Sequence, residues 1–359
     1  MSANLHDLPT PTLLVDVDVL QRNIEDMAAY ADRAGLALRP HAKTHKSPAV
    51  AALQRAAGAT GLSVATVSEA EVFADAGHTD LFIAYPLWLD HDRATRVRAL
   101  LQRATLTLGV DSADAARRLA AQLAADAAGI RTLVEVDSGH HRSGVPPEEA
   151  GLVADAARHA GLEVGGVFTF PGHSYSPAAQ AAVAAEEADA LKRAAASLRD
   201  VGVEPTVVSG GSTPSVAHTH ADAMTELRPG VYVFGDAQQW ELGTTTPDRI
   251  ALTAWSTVVS HAGGRVVLDA GSKVIGADRP AWATGHGRLL DHPGARIVLL
   301  SEHHAVVEWD EGPVPELGSR LRVVPNHVCN AVNLVDELVA VHDGVVVERW
   351  PVAARGANT

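Results

Sequence analysis

Two textures of hydrophobic patterning divide this chain. From about residue 10 to 240, short apolar runs ending in polar or glycine-containing turns alternate with alanine-rich stretches of helical period. The runs are TLLVDV (12–17), LALRPHAK (36–43), LSVATV (62–67), DLFIAY (80–85), TLTLGV (105–110), RTLVEVD (131–137), VGGVFTF (164–170) and PTVVSGG (205–211). Between them lie stretches such as DAARRLAAQLAADA and QAAVAAEEADALKRAAASLRD. Ser68 and Glu71 stand at capping-box spacing at the head of one such helix. Eight strands alternating with helices predict an α/β fold with a parallel sheet, and the near-continuous apolar runs predict burial on both faces. Residues 1–243 suit a (β/α)8 TIM-type barrel, with the first residues assignable to either domain. An open doubly wound sheet is the competing architecture, but no G-x-G-x-x-G follows the first strand.

After that the helical stretches stop. TAWSTVVSHAGGRVVLDAG, ARIVLLSEHHAVVEW, SRLRVVPNHVCNAVNL and ELVAVHDGVVVERWPV are strand-like segments separated by turns. They predict a β-strand-rich domain over residues 244–359.

Composition narrows the partners. A formal net charge of -14 argues against nucleic acid or an anionic membrane. MSANLHDLPT lacks the basic flank and apolar core of a signal peptide, and no run reaches the roughly 20 apolar residues of a spanning helix. A cytoplasmic protein is the expectation. The single cysteine, Cys329, excludes an intrachain disulfide.

Several motifs sit where the strands should end. RPHAKTHK (39–46) puts lysines among Arg39, His41 and His45. Neighbouring cations lower a lysine's pKa, which favours attack on an aldehyde; a solvated basic loop has the same composition. VVSGGSTPS (207–215) offers glycines, hydroxyls and backbone N–H groups suited to a phosphate, or a plain turn. In PNHVCNAVNL (325–334), His327 and Cys329 are two apart. On a strand both would point to one face, where an imidazole and a thiolate can hold zinc; a structural pair is the other reading. EVDSGHHRSGV (135–145), TFPGHSYS (169–176) and ELRPGVYVFGD (226–236) add Asp137, Arg142, His173 and Tyr175.

Taken in order, TPTLLVD, RPHAKTHK, EVDSGHHRSGV, VSGGSTPS, ELRPGVYVFGD, DAGSK and PNHVCNAVNL resemble the fold-type III pyridoxal-phosphate enzymes. Within them the chain is most similar to the branch of D-threonine aldolase, eukaryotic-type D-serine dehydratase and D-3-hydroxyaspartate lyases, and the resemblance spans nearly all of it. It implies an alanine-racemase-like barrel holding pyridoxal 5'-phosphate, with Lys43 as the Schiff-base lysine. It also implies Arg142 near the phenolic oxygen and Tyr175 near the pyridine nitrogen. Ser209, Gly210, Gly211, Ser212 and Thr213, with Gly230 and Tyr232, would line the phosphate. His327 and Cys329 would hold a divalent metal, zinc or else manganese or magnesium. The implied activity is a lyase on small D-3-hydroxy amino acids, by dehydration-deamination or retro-aldol cleavage. Lys43 would move the α-proton, with His41, His45 or a metal-bound water as the second base. An amino-acid racemase and a non-catalytic cofactor-binding protein are the alternatives. The resemblance further implies a homodimer, with DAGSK (269–273) and SEHHAVVEW (301–309) near the boundary.

Overall fold

The computed structural model describes residues 4–309 and 312–359. The chain separates into two compact units. The first comprises Ala28–Lys43, Gln54–Gly230 and Ala357–Thr359; the second comprises Met1–Met27, Thr44–Leu53 and Val231–Gly356. Among the described residues no helix is long and apolar enough to cross a membrane.

Strand β1 (Thr12–Asp16) precedes the strands of the first unit. Those are β2 (Ala37–Leu38), β3 (Leu62–Val64), β4 (Asp80–Pro86), β5 (Thr105–Val110), β6 (Ile130–Glu135), β7 (Glu163–Phe168), β8 (Val207–Gly210) and β9 (Glu226–Leu227). They pair in the order β2-β9-β8-β7-β6-β5-β4-β3, always parallel. The two ends of that row meet. His41 forms a parallel bridge to Ser63, and Ser63 N–H donates to Pro40 O at 2.9 Å, so the sheet closes into the expected barrel. Helices α1 (Val17–Arg33), α2 (Pro48–Ala56), α3 (Val67–Asp75), α4 (His91–Leu101), α5 (Ala113–Leu123), α6 (Ala150–His159) and α7 (Gln180–Asp200) alternate with the strands along the chain.

Local sequence explains the helices. In α5, buried Ala115, Ala116, Leu119, Ala120 and Leu123 recur at helical spacing, and Ser112 accepts the N–H of Ala115 at 3.2 Å. Helix α3 starts two residues earlier than the capping-box spacing predicts. Thr66 is its cap, accepting from Glu69 N at 3.0 Å, while the Glu69 carboxylate accepts from Ala65 N at 2.6 Å. Thr66 and Glu69 carry the same T-x-x-E spacing, which frees Ser68 and Glu71 for Arg96.

The barrel interior mixes apolar and charged groups. Phe82, Leu133 and Phe168 form one buried cluster, with the two phenyl rings edge to face at 5.0 Å. Gly109 faces this cluster because a Cβ there would lie 2.7 Å from the Phe168 ring. Arg39 is buried and bonded to Glu226 Oε2 at 2.7 Å and Asp80 Oδ1 at 2.6 Å.

The second unit is strand-rich, as expected. Short helix α8 (Ala237–Glu241) leads to β10 (Leu252–Ser260) and β11 (Val266–Leu268). After α9 (Ser272–Ile275) come β12 (Gly287–Leu289), β13 (His292–Leu300), β14 (Ala305–Glu308) and β15 (Arg320–Pro325). Helix α10 (Val328–Val332), β16 (Glu337–His342) and β17 (Val345–Pro351) complete it. Pairings β10-β15-β12-β13-β14-β11-β10 are all antiparallel and form a ring of six strands.

One strand changes place relative to the sequence pattern. TLLVDV does not enter the parallel barrel. As β1 it pairs antiparallel with β10 and parallel with β16 in the second unit. The eighth barrel strand is β9, from ELRPGVYVFGD. Hydrophobic periodicity reports that a run is buried but not which sheet buries it, and two residues are too few to show a period.

Candidate active site

A cavity of about 620 Å³ opens in the barrel unit. Its wall is built from residues at or just after strand ends. His41 and Lys43 follow β2, Thr66 follows β3, Asp111 follows β5, Arg142 and Ser143 follow β6, and Arg228 follows β9. These are the carboxyl ends of parallel strands, where a barrel gathers chemistry from separate loops.

Phe170 lies beside two cations of the cavity, half-buried Lys43 and exposed Arg142. Lys43, in the 3₁₀ turn Ala42–Thr44, has its Nζ 5.6 Å from the Phe170 ring centroid, and the Arg142 guanidinium lies 5.1 Å from the same centroid. Tyr175 lies 6.5 Å from that ring, and His140 meets it edge-on at 5.6 Å. Asp137 shapes the loop that carries Arg142. Its Oδ1 accepts the N–H groups of Gly139 at 2.9 Å and His141 at 3.0 Å. Partial burial opposes the charge on Asp137, but those N–H groups and His141 hold its carboxyl below the usual range.

Below the wall, the charges are less evenly matched. Arg228 is buried, donates from Nε to Ser209 Oγ at 2.8 Å and from Nη2 to the Thr169 carbonyl, and spans Phe82 and Phe168 at 5.5 and 5.4 Å. Burial lowers its pKa, against the pull of Glu226, Glu187 and Glu135. Glu135 is 2% exposed; Oε1 accepts from Ser143 Oγ at 3.0 Å, while Oε2 is buried with no hydrogen-bond partner. Burial pushes its carboxyl up to about 7, outweighing Ser143, Arg142 and Arg228.

The glycine-rich turn after β8 is anchored from beneath. Ser209 Oγ donates to Glu226 Oε1 at 2.7 Å, and Gly211 N–H donates to Glu187 Oε1 at 2.6 Å. Gly211 has φ +82°, and a Cβ would lie 2.8 Å from Leu227, so this position demands glycine. Ser212 Oγ lies 2.9 Å from Ser174 Oγ and 2.8 Å from Ser215 Oγ. Thr213 is buried and Gly230 half-buried, both in the barrel unit. Burial raises the Glu187 carboxyl to about 7 despite the Gly211 N–H.

The structure brings Lys43, His41 and Arg142 together in the cavity, with Tyr175 one ring away. Tyr232 and His45 belong to the second unit. There Tyr232 lies in the buried turn Val231–Val233, and the buried His45 ring is tied to Ser47, whose N–H is 3.1 Å from its Nδ1.

Within the second unit, His327 is the N-cap of α10 and Cys329 lies in its first turn. The pair is therefore not on a strand, because β15 ends at Pro325. The two side chains still interact, since the helical turn folds residue 329 back toward its cap. His327 Nδ1 is 3.4 Å from Oδ2 of fully buried Asp236, without the alignment of a hydrogen bond. Burial alone would lower the His327 pKa; Cys329 and Asp236 together raise it well above the ordinary value. Cys329 Sγ is also 3.4 Å from Thr44 Oγ1. A buried imidazole nitrogen backed by a carboxylate and flanked by a thiol is a donor set that suits a divalent metal. Among the described residues, the group of three potential ligands within reach of one another is Asp18, His342 and Asp343, all exposed on the second unit.

Comparison with known proteins places the chain. Residues 15–238 match the family described as alanine racemase, N-terminal domain. The chain belongs to that family. Residues 251–341 match a second family, described as "Putative serine dehydratase domain". The chain is 37% identical to D-threo-3-hydroxyaspartate dehydratase of Delftia sp. (strain HT23), over 92% of this chain and 93% of that one. The D-threonine aldolase structure from Filomicrobium marinum superposes with a TM-score of 0.90, at 35% identity, covering 100% of this chain and 99% of that one. A D-threo-3-hydroxyaspartate dehydratase with one cysteine changed to alanine, in the metal-free form, also gives a TM-score of 0.90, at 34% identity over 97% and 98% of the two chains.

Within this alanine-racemase-type barrel, sequence reasoning passed over Phe170, Arg228, Glu135 and Asn358. Phe170 and Arg228 lay inside motifs already singled out, TFPGHSYS with its preceding strand and ELRPGVYVFGD. Asn358 lay in none, being far in sequence from every motif it joins.

Proposed function

We propose that this chain is a pyridoxal-phosphate-dependent lyase of D-3-hydroxy amino acids, working in the cytoplasm with a divalent metal. The observation that carries the reading is the gathering of Lys43, His41 and Arg142 in one cavity at the carboxyl ends of the barrel strands. Relatives named for dehydration and aldol cleavage of such substrates support it.

Lys43 Nζ is the group that holds the cofactor aldehyde. The same nitrogen would be the one placed to take or return the substrate's α-proton. His41, on the same wall, is a candidate for the second base in this unit, and His45 is the candidate in the other. Arg142, held over Phe170, would sit near the cofactor's phenolic oxygen, and Tyr175 near its ring nitrogen. Gly210, Gly211, Ser212 and Thr213 hold the phosphate with Gly230 and Tyr232, while Ser209 braces the turn through Glu226 and Arg228. The bound cofactor supplies the sink for the electron pair left at the α-carbon. His327 and Cys329 would hold a divalent metal, which would supply Lewis-acid assistance to the 3-hydroxyl.

The protein is further proposed to act as a homodimer. Val298 and Leu299 on β13 are 44% and 50% exposed, beside the segments expected at the boundary. A species of single-chain mass with full activity overturns this.

The deciding assay offers D-serine, D-threonine and D-3-hydroxyaspartate to the cofactor-loaded enzyme. A 2-oxo acid and ammonia would mark the dehydratase; glycine and an aldehyde would mark the aldolase. Chelation, or Cys329→Ala, should stop turnover while leaving the visible band of the lysine-bound cofactor intact. Full rate after chelation removes the metal from the reading, and release of none of these products removes the lyase.

A further inference from the structure

In the barrel unit, Ala357–Thr359 is fastened across the start of α3. Thr66 Oγ1 donates to Ala357 O at 2.8 Å, and Ser68 N–H donates to Thr359 O at 2.8 Å. Ser68 Oγ and Thr359 Oγ1 lie 2.7 Å apart, and Arg96 donates to Thr359 Oγ1 at 3.3 Å. The attachment has a local cause. The first N–H groups of a helix have no partner within it. Thr66 satisfies that of Glu69, and the strap satisfies that of Ser68. Arg96 is itself held by Glu71 at 2.9 and 2.6 Å, so the anchor is braced.

These contacts fix the residues on either side of Asn358. Asn358 itself lines the same cavity as Thr66, Lys43 and Arg142. A carboxamide offers two donors and an acceptor without adding charge. Beside Lys43, Arg142 and Asp111, it gives a carboxylate a neutral donor.

We propose that Asn358 is a substrate-binding residue, whose carboxamide hydrogen-bonds a carboxylate of the amino-acid substrate. The proposal rests on the amino-acid lyase reading above. It also makes Ala357–Thr359 a built part of the substrate pocket, positioned by Thr66, Ser68 and Arg96.

The test is steady-state kinetics of Asn358→Ala on the best D-3-hydroxy substrate, with a parallel titration of D-alanine. D-alanine lacks the 3-hydroxyl and cannot undergo either cleavage, so its binding to the cofactor-loaded protein is read from the visible spectrum alone. Loss of a hydrogen bond to a charged group should raise KM and the D-alanine Kd by roughly ten- to a hundred-fold. kcat and cofactor affinity should change little, the signature of lost uniform binding. Asn358→Asp should be worse than alanine, and Asn358→Gln should recover part of the loss. Ser68→Ala, outside the cavity, should produce a smaller rise in the same direction by loosening the strap. An Asn358→Ala enzyme with unchanged KM and D-alanine Kd overturns the proposal, as does one that loses cofactor affinity instead. A wild type that binds D-alanine but turns over no 3-hydroxy substrate overturns only the lyase reading. One that does neither overturns both.

Discussion

Two buried charges in the same barrel are completed to different degrees. Arg39 is bonded on both sides, by Glu226 at 2.7 Å and Asp80 at 2.6 Å, and is not among the residues lining the cavity. Glu135 has one bond, from Ser143 at 3.0 Å, and a buried oxygen without a partner. It sits behind cavity-lining Ser143 and within the electrostatic reach of Arg142 and Arg228. A buried charge completed by the protein's own groups serves the fold. One left short beside a cavity has capacity for a proton or a ligand.

Three experiments press on that contrast. The largest effect belongs to the cavity. Lys43→Ala should lower activity by several orders of magnitude and abolish the visible band of the bound cofactor, while thermal stability barely moves. A borohydride-reduced adduct that maps to Lys46 or Lys273 would refute the assignment. Next comes Arg39→Leu, which strands Glu226 and Asp80 and should cost about 3–5 kcal/mol of stability by denaturant unfolding. The enzyme that remains folded should keep its KM; a selective KM change would move Arg39 to the functional side of the contrast.

The smallest effect is a pH dependence. The folded state raises the Glu135 pKa to about 7, so it binds that proton more tightly than the unfolded chain does. Stability is therefore greatest below the unfolded carboxylate pKa, falls as pH rises toward about 7, and levels off above it. Glu135→Gln cannot lose a proton. Its melting temperature relative to wild type should climb between about pH 5 and pH 8. A difference that stays flat or declines over that interval means Glu135 ionises as an ordinary carboxylate.

Much of this was legible in the sequence, for physical reasons. Parallel strands buried on both faces write themselves as apolar runs, so seven of the barrel strands and the turn at Lys43 were found. The β1 exchange was not legible, because Thr12–Asp16 looks the same in either sheet. The His327–Cys329 pairing was anticipated on the wrong local geometry: a cap and a helical turn bring the residues together, not the pleat of a strand. Arg228 and Asn358 were missed because neither residue's role is encoded nearby. One depends on Ser209, Phe82 and Phe168 around it, the other on a tether to Thr66 and Ser68.

The position of β1 also bears on biosynthesis. Residues 12–16 leave the ribosome before any barrel strand, yet their partners in β10 and β16 are translated after the whole barrel. Strands β2–β9 are consecutive in the chain and pair only with one another, so the barrel can close while synthesis continues. The second sheet cannot, and its closure entropy is met late. Both edges of apolar β1 are open until β10 emerges, and one stays open until Glu337–His342 does, so neighbouring nascent chains can pair with it. The chain's hazard during synthesis thus lies with its earliest strand, and a chaperone that shields Thr12–Asp16 would protect the later-forming sheet.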